Sequence, residues 1–178
     1  MSENSKRNRM KVLAIVLLFI LSIGFSVYVT HQLMVKEFSR NGFIKSLARA
    51  SLVPIRDDLA DIIKSLKEGN ETLFNASVDK LAADLEYLEY YGEYLSLLGK
   101  ENKIHDIVRL LNETARLLKI HGFEKIRTKY LTDEEFREAL ETVYSDFWDR
   151  ANFVTTVGDD FYNDDLYIEH LRELLSEI

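Results

Sequence analysis

A long apolar segment near the start dominates the hydrophobic pattern of this chain. No charged residue occurs from Val12 to Val35, and 13 of the 18 residues in 12–29 are Leu, Ile, Phe or Val. A helix of these 18 residues, rising about 1.5 Å per residue, spans roughly 27 Å, close to the roughly 30 Å hydrocarbon core of a bilayer. The pattern predicts a transmembrane helix over residues 12–35, whose insertion gains roughly 4 to 8 kcal/mol.

A cleaved secretory signal peptide is the main alternative for this segment. Signal peptides share the basic start, but their apolar region is usually about 7–15 residues long and ends at an A-x-A-like site. Here the apolar run is longer, and only Ser22-Ile23-Gly24 resembles such a site, inside the run. We favour a retained anchor, and a secreted helical bundle is the alternative.

Beyond the apolar segment, apolar residues recur three and four positions apart, which is typical of amphipathic helices. The strictest case is a heptad seam, formed by Val78, Leu81, Leu85, Leu88, Gly92, Leu95 and Gly99. Pro54 interrupts an earlier stretch, so we expect a kink, or two helices that meet near Val53. Strand-type alternation is absent from the sequence.

Short connections separate these amphipathic stretches. Gly69 and Gly122 are expected to end helices, and Thr132-Asp133-Glu134-Glu135 is expected to start one as a capping box. We predict an all-α protein in which one N-terminal transmembrane helix is followed by an up-and-down bundle of four to five amphipathic helices over 36–178. The apolar seams could also join copies of the chain into a homo-oligomer.

Charge divides the chain into a basic head and an acidic body. Residues 1–11 carry a net charge of +3, and residues 36–178 carry −10. Because basic residues concentrate on the cytoplasmic side of membrane proteins, residues 1–11 are expected to be a cytoplasmic tail. The acidic bundle would then lie outside the cytoplasm, on a single-pass protein of the cell membrane. An acidic body also argues against nucleic acid as a partner.

Composition and motifs exclude several kinds of chemistry. The chain has no Cys, so it has no disulfide scaffold and no thiolate metal site. It contains no Gly-x-Ser-x-Gly, no Gly-rich phosphate loop and no His-Glu-x-x-His. His170 and Glu173 have the spacing of metal ligands, but no second pair completes a site. We expect no enzymatic activity, no cofactor and no metal.

Four tyrosines on the second predicted helix form the candidate binding site: Tyr87, Tyr90, Tyr91 and Tyr94. On a helical wheel, Tyr87, Tyr90 and Tyr94 lie well away from the aliphatic seam. The glutamates at 86, 89 and 93 occupy the arc between the seam and these tyrosines. Tyrosine supplies rigid apolar area with a polar tip, which suits binding surfaces. The competing interpretation is a central helix that packs on two sides, with the tyrosines in the core.

Three N-glycosylation sequons begin at Asn70, Asn75 and Asn112. They can be modified only if the bundle faces the outside of a cell that glycosylates Asn.

These features predict a non-enzymatic, sensor-like module that is anchored in the lipid bilayer and binds a membrane or extracytoplasmic protein, or a ligand. A structural or assembly subunit of a membrane complex is the alternative. A pocket lined by the tyrosines would favour the binding module, and a continuous exposed apolar stripe would favour the subunit.

Overall fold

The fold is all-α across the part of the chain that the structure describes. The computed structural model describes residues 3–99, 102–156 and 165–178, with side chains at 22–23, 25–36, 41–99, 102–152 and 165–178. These ranges contain no strand and form six helices, which are α1 (Glu3–Glu68), α2 (Glu71–Leu97), α3 (Ile104–His121), α4 (Phe123–Thr132), α5 (Glu134–Thr156) and α6 (Asp165–Glu177). The predicted all-α class and bundle packing are confirmed. The six helices of the described ranges lie within the predicted total of five to six, and the short α4 is a helix of its own.

The chain divides into two units, Met1–Phe43 and Ile44–Ile178. Among the residues that the structure describes, no helix combines the length and the apolarity that crossing a bilayer requires. The apolar centre of the predicted transmembrane helix, residues 12–21, lies outside the residues whose side chains are described.

Helix α1 continues through Pro54 without a break, so of the two predicted outcomes, a kink or two helices that meet near Val53, the second is wrong. Proline has no N–H to donate to the carbonyl four residues earlier, which here belongs to Ala50. Ala50 is exposed, so water can hydrate the freed carbonyl and the helix loses only one hydrogen bond.

Within the second unit, α2 runs antiparallel to the last part of α1. The Ser51 hydroxyl lies 3.0 Å from the carbonyl oxygen of Tyr87. Two turns further along α1, Asp58 accepts a hydrogen bond of 3.1 Å from Lys80 of α2. The C-terminal half of α2 therefore lies beside the first turns of this unit.

The core of the second unit uses one apolar stripe from each helix. In α2 the predicted seam is buried from Val78 to Leu95, so the heptad prediction is confirmed over that range. Gly99 does not belong to the seam, because it lies past the end of α2 and is exposed with φ +72°. The rings of Phe74 and Phe123, 5.5 Å apart, join α2 to α4.

The start of α5 differs from the predicted capping box by one residue. Asp133 Oδ1 accepts a hydrogen bond of 3.2 Å from the backbone N–H of Phe136, so Asp133 caps the helix. Thr132 instead belongs to the last turn of α4, where its hydroxyl donates to the carbonyl of Thr128 at 2.8 Å. The sequence pattern predicted that Thr132 caps α5, but its hydroxyl bonds to the backbone of α4 instead.

Candidate functional site

Helix α2 has a buried inner face and a largely exposed outer face of unusual composition. The outer face carries residues that step by four and three, which we call the tyrosine stripe: Ala83, Tyr87, Tyr90, Tyr94 and Leu97. Tyr87, Tyr90 and Leu97 are 59%, 61% and 85% exposed. Tyr94 is half-buried and packs partly against the core. The stripe is about 21 Å long, at roughly 1.5 Å per residue.

Tyr91, the fourth predicted site residue, lies in the core with 1% of its surface exposed. One residue further along a helix turns the side chain by about 100°, which is enough to separate Tyr91 from Tyr90. The core interpretation of the tyrosines therefore holds at Tyr91, and the surface interpretation fits Tyr87 and Tyr90. The candidate surface therefore does not include Tyr91.

Three exposed carboxylates line one side of the tyrosine stripe, and we call Glu86, Glu89 and Glu93 the acidic edge. Glu89 Oε1 lies 3.5 Å from Nδ1 of His105 on α3. No Lys, Arg or His occurs in α2 from Leu81 to Leu97. The outer face thus combines an aromatic half and an anionic half.

Contacts from α1, and from α3 with the residues just before it, hold the C-terminal half of α2. Besides the Ser51 contact from α1, the side-chain amide of Asn102 donates to the Gly92 carbonyl at 3.2 Å and to the Ser96 hydroxyl at 3.0 Å. A Cβ atom at Gly92 would lie 2.8 Å from Cγ2 of Ile104, so only glycine permits this approach of α3. The tyrosine stripe therefore sits on a fixed, well-packed scaffold.

Comparison with known proteins provides no relative for this arrangement. No family model, curated protein or solved structure matches this chain.

A buried carboxylate on α1 escaped the sequence reasoning. The side chain of Asp58 is 1% exposed, and its Oδ2 atom has no hydrogen-bond partner. The pKa of Asp58 is raised to about 6, because burial and the neighbouring Asp84 raise it more than the hydrogen bond from Lys80 lowers it. Asp58 lies midway between two other buried polar residues, Ser51 and Ser65. Their seven-residue spacing in α1 was the available signal, because it places all three on one helix stripe.

Asp58 should make the protein less stable as the pH rises. The folded protein keeps the Asp58 proton up to about pH 6, whereas the unfolded chain releases it near 3.8, so the free energy of unfolding should fall across that window. The shift of about two units corresponds to at most about 3 kcal/mol. We expect Asp58→Asn to raise stability by up to that amount at about pH 7.5 and to change it little at about pH 4.

Urea unfolding of the full chain in micelles, followed by Trp148 fluorescence, measures this difference. Asp149→Asn is the matched control, since Asp149 is exposed, and it should change stability by less than about 0.5 kcal/mol. If the free energy of unfolding changed with pH in the same way for Asp58→Asn and for the parent, burial of the Asp58 carboxylate would have no such cost.

A second charged network ties α1, α4 and α5 together. The hydroxyl of buried Tyr130 donates to Glu141 at 2.5 Å, and Lys67 lies 2.9 Å from the same oxygen. The Tyr130 hydrogen bond and then Lys67 lower the pKa of Glu141. Burial, and next the bond to Glu141, raise the pKa of Tyr130. These groups satisfy one another, so the network is a structural link.

Trp148 on α5 forms a further surface feature that the sequence pattern did not single out. The guanidinium of Arg56 lies 4.4 Å from the centre of the Trp148 ring and donates to Asn152 at 3.3 Å. Because this contact joins α1 to α5, the single tryptophan reports on packing of the second unit.

The three sequon asparagines, Asn70, Asn75 and Asn112, are exposed. Asn70 also caps α2, where its Oδ1 accepts from the backbone N–H of Leu73 at 3.0 Å. Because this cap uses the side-chain oxygen of Asn70, the side-chain nitrogen, to which a glycan would be attached, takes no part in it.

His170 pairs with Asp146, whose Oδ2 lies 2.5 Å from the ring Nδ1. Within residues 3–99, 102–156 and 165–178, no group of three or more His, Asp and Glu residues is placed to hold a metal ion.

Proposed function

We propose that this protein is a non-enzymatic, single-pass membrane protein that displays a helical bundle outside the cytoplasm and binds another protein through the tyrosine stripe. The exposure of Tyr87, Tyr90 and Leu97, on a helix whose opposite face is buried, carries the proposal. Small ligands bind in concave pockets, whereas this stripe lies along the outside of a helix. Exposed aromatic residues on a rigid element are typical of protein contacts.

The anchor rests on the sequence of residues 12–35 and is supported by the part of that segment whose side chains are described. Large apolar side chains are exposed there, and they include Phe25, Tyr28, Leu33 and Met34. Their positions point to different sides of α1 rather than to one face. A helix that is apolar all round suits a lipid environment better than water.

The same stripe supports a second candidate, a structural subunit of a hetero-oligomeric membrane complex, which is favoured by an exposed stripe in place of a tyrosine-lined pocket. Its steps of four and three are those of helix–helix seams, and such a subunit would hold its partner permanently. If the partner is purified from membranes in a constant one-to-one ratio with this chain, the subunit is favoured. A ratio that changes with conditions would favour the sensor.

The three sequons provide a direct test of the proposed topology. When the full chain is translated with microsomes, we expect glycans on at least one of Asn70, Asn75 and Asn112, since residues 36–178 should enter the lumen. The chain should also stay in the membrane pellet after a high-salt wash. A variant with all three asparagines changed to Gln is the control and should show no gel shift.

An unglycosylated chain in the membrane pellet would contradict the orientation. A glycosylated chain that is trimmed and free in the lumen would contradict the anchor and support the secreted alternative.

A further inference from the structure

The tyrosine stripe and the acidic edge form one outer surface of α2 with a defined charge. At about 100° per residue, the tyrosines and the glutamates occupy adjacent arcs of the exposed half of the helix. Residues Leu81–Leu97 carry four carboxylates, at Asp84, Glu86, Glu89 and Glu93, and no basic side chain. A partner that covers this surface must therefore meet negative charge along one side of an aromatic stripe.

A second copy of the chain fits this surface poorly. Pairing two α2 helices antiparallel through Tyr90 would bring one acidic edge against the other, and residues Leu81–Leu97 contain no cation to compensate. Like charges placed against each other across an interface cost several kcal/mol. Anionic lipid headgroups meet the same repulsion, which also disfavours binding of the stripe to an acidic membrane surface.

The chemistry that fits is a cation beside an apolar stripe. Arg and Lys pair with carboxylates, and their cationic heads stack on Tyr rings. The glutamates step by three and four residues, which matches cations spaced by three and four on a facing helix. Resting on the proposed function, we propose that the partner presents a basic amphipathic helix, with apolar residues on Tyr87 and Tyr90 and with Arg or Lys on the acidic edge.

A designed peptide can test this chemistry before the natural partner is identified. The probe is a fluorescent helix of about 20 residues with Leu on one stripe and Arg along its side; its control carries Glu in place of Arg. The full chain in neutral detergent micelles should bind the Arg peptide, and affinity should fall as salt rises. The Glu peptide should bind at least about tenfold more weakly.

Two triple variants of equal charge locate the binding site. Glu86, Glu89 and Glu93 changed together to Gln should weaken binding of the Arg peptide by about tenfold or more and reduce its salt dependence. The matched control changes three exposed glutamates of α5, Glu134, Glu135 and Glu138, to Gln and should bind within about twofold of the parent. Far-UV circular dichroism of both variants should match the parent, since all six positions are exposed.

Equal loss of affinity in both triple variants would overturn the proposal, because it would show attraction to net charge alone. Capture of phosphatidylserine vesicles through Tyr87 and Tyr90, or crosslinking of two copies at Tyr90, would also overturn it. A photoreactive side chain placed at position 90 can be crosslinked to its neighbours in native membranes. If it crosslinks to an acidic or neutral segment of a protein, the basic-helix inference fails while the proposed function stands. If Tyr90 captures no protein, the proposed function itself fails.

Discussion

Replacing Tyr91 by Ala is expected to lower the free energy of unfolding by about 3–5 kcal/mol, the usual cost of removing a buried aromatic ring. Tyr91 is 1% exposed and among the largest fully buried side chains of the described residues. Its loss opens a cavity between α2 and the rest of the core. Tyr91→Phe keeps the ring and should cost much less.

The neighbouring residue provides the matched control. Tyr90 is 61% exposed, and Ala has the higher helix propensity, so Tyr90→Ala should change stability by no more than about 0.5 kcal/mol. Urea unfolding of the full chain in micelles, followed by Trp148 fluorescence, measures both variants. Equal destabilisation by the two substitutions would place Tyr90 in the core and remove the candidate surface.

Gly92→Ala is expected to destabilise the protein by about 1–3 kcal/mol, although Ala is favoured over Gly in a helix by about 1 kcal/mol. The new Cβ would lie 2.8 Å from Cγ2 and 3.0 Å from Cβ of Ile104. Both atoms are close to the α3 backbone, so the helices must separate. Gly42→Ala is the control, since nothing lies within 4 Å of its Cβ, and it should be neutral or stabilising by up to about 1 kcal/mol.

A double-mutant cycle identifies the cause of this loss. Ile104→Ala removes the Cγ2 atom that the new methyl group would contact, so Gly92→Ala should cost at least about 1 kcal/mol less in that background. Strictly additive effects would show that the close approach of α2 and α3 does not explain the requirement for glycine at this position.

Apolar spacing predicted helix type and the inner seam of α2, because burial of one stripe decides where a helix packs. The seam defined by that spacing did not include Tyr91, because the buried arc of α2 is wider than the seam and also takes in Tyr91. The seam extended too far at Gly99, which lies beyond the helix end, and the expectation of two helices was wrong at Pro54, where α1 continues.

The buried Asp58 shows a different limit of sequence reasoning. A lone carboxylate within an apolar stripe is normally assigned to the helix surface, because Asp is almost never fully buried unless paired. Its partner, Lys80, lies 22 residues away on α2, and only the packing of the two helices brings them together. Contacts between helices, unlike the stripe of each helix, are absent from a one-dimensional pattern.

Photo-crosslinking in native membranes tests most directly whether the outer face of α2 binds a protein. A photoreactive side chain is placed at Tyr90 in one variant and at Ile120 of α3 in another, and both native residues are 61% exposed. A discrete crosslinked species from position 90, and none from position 120, is the predicted result. Equal labelling from both positions, or no product from position 90, would contradict the account.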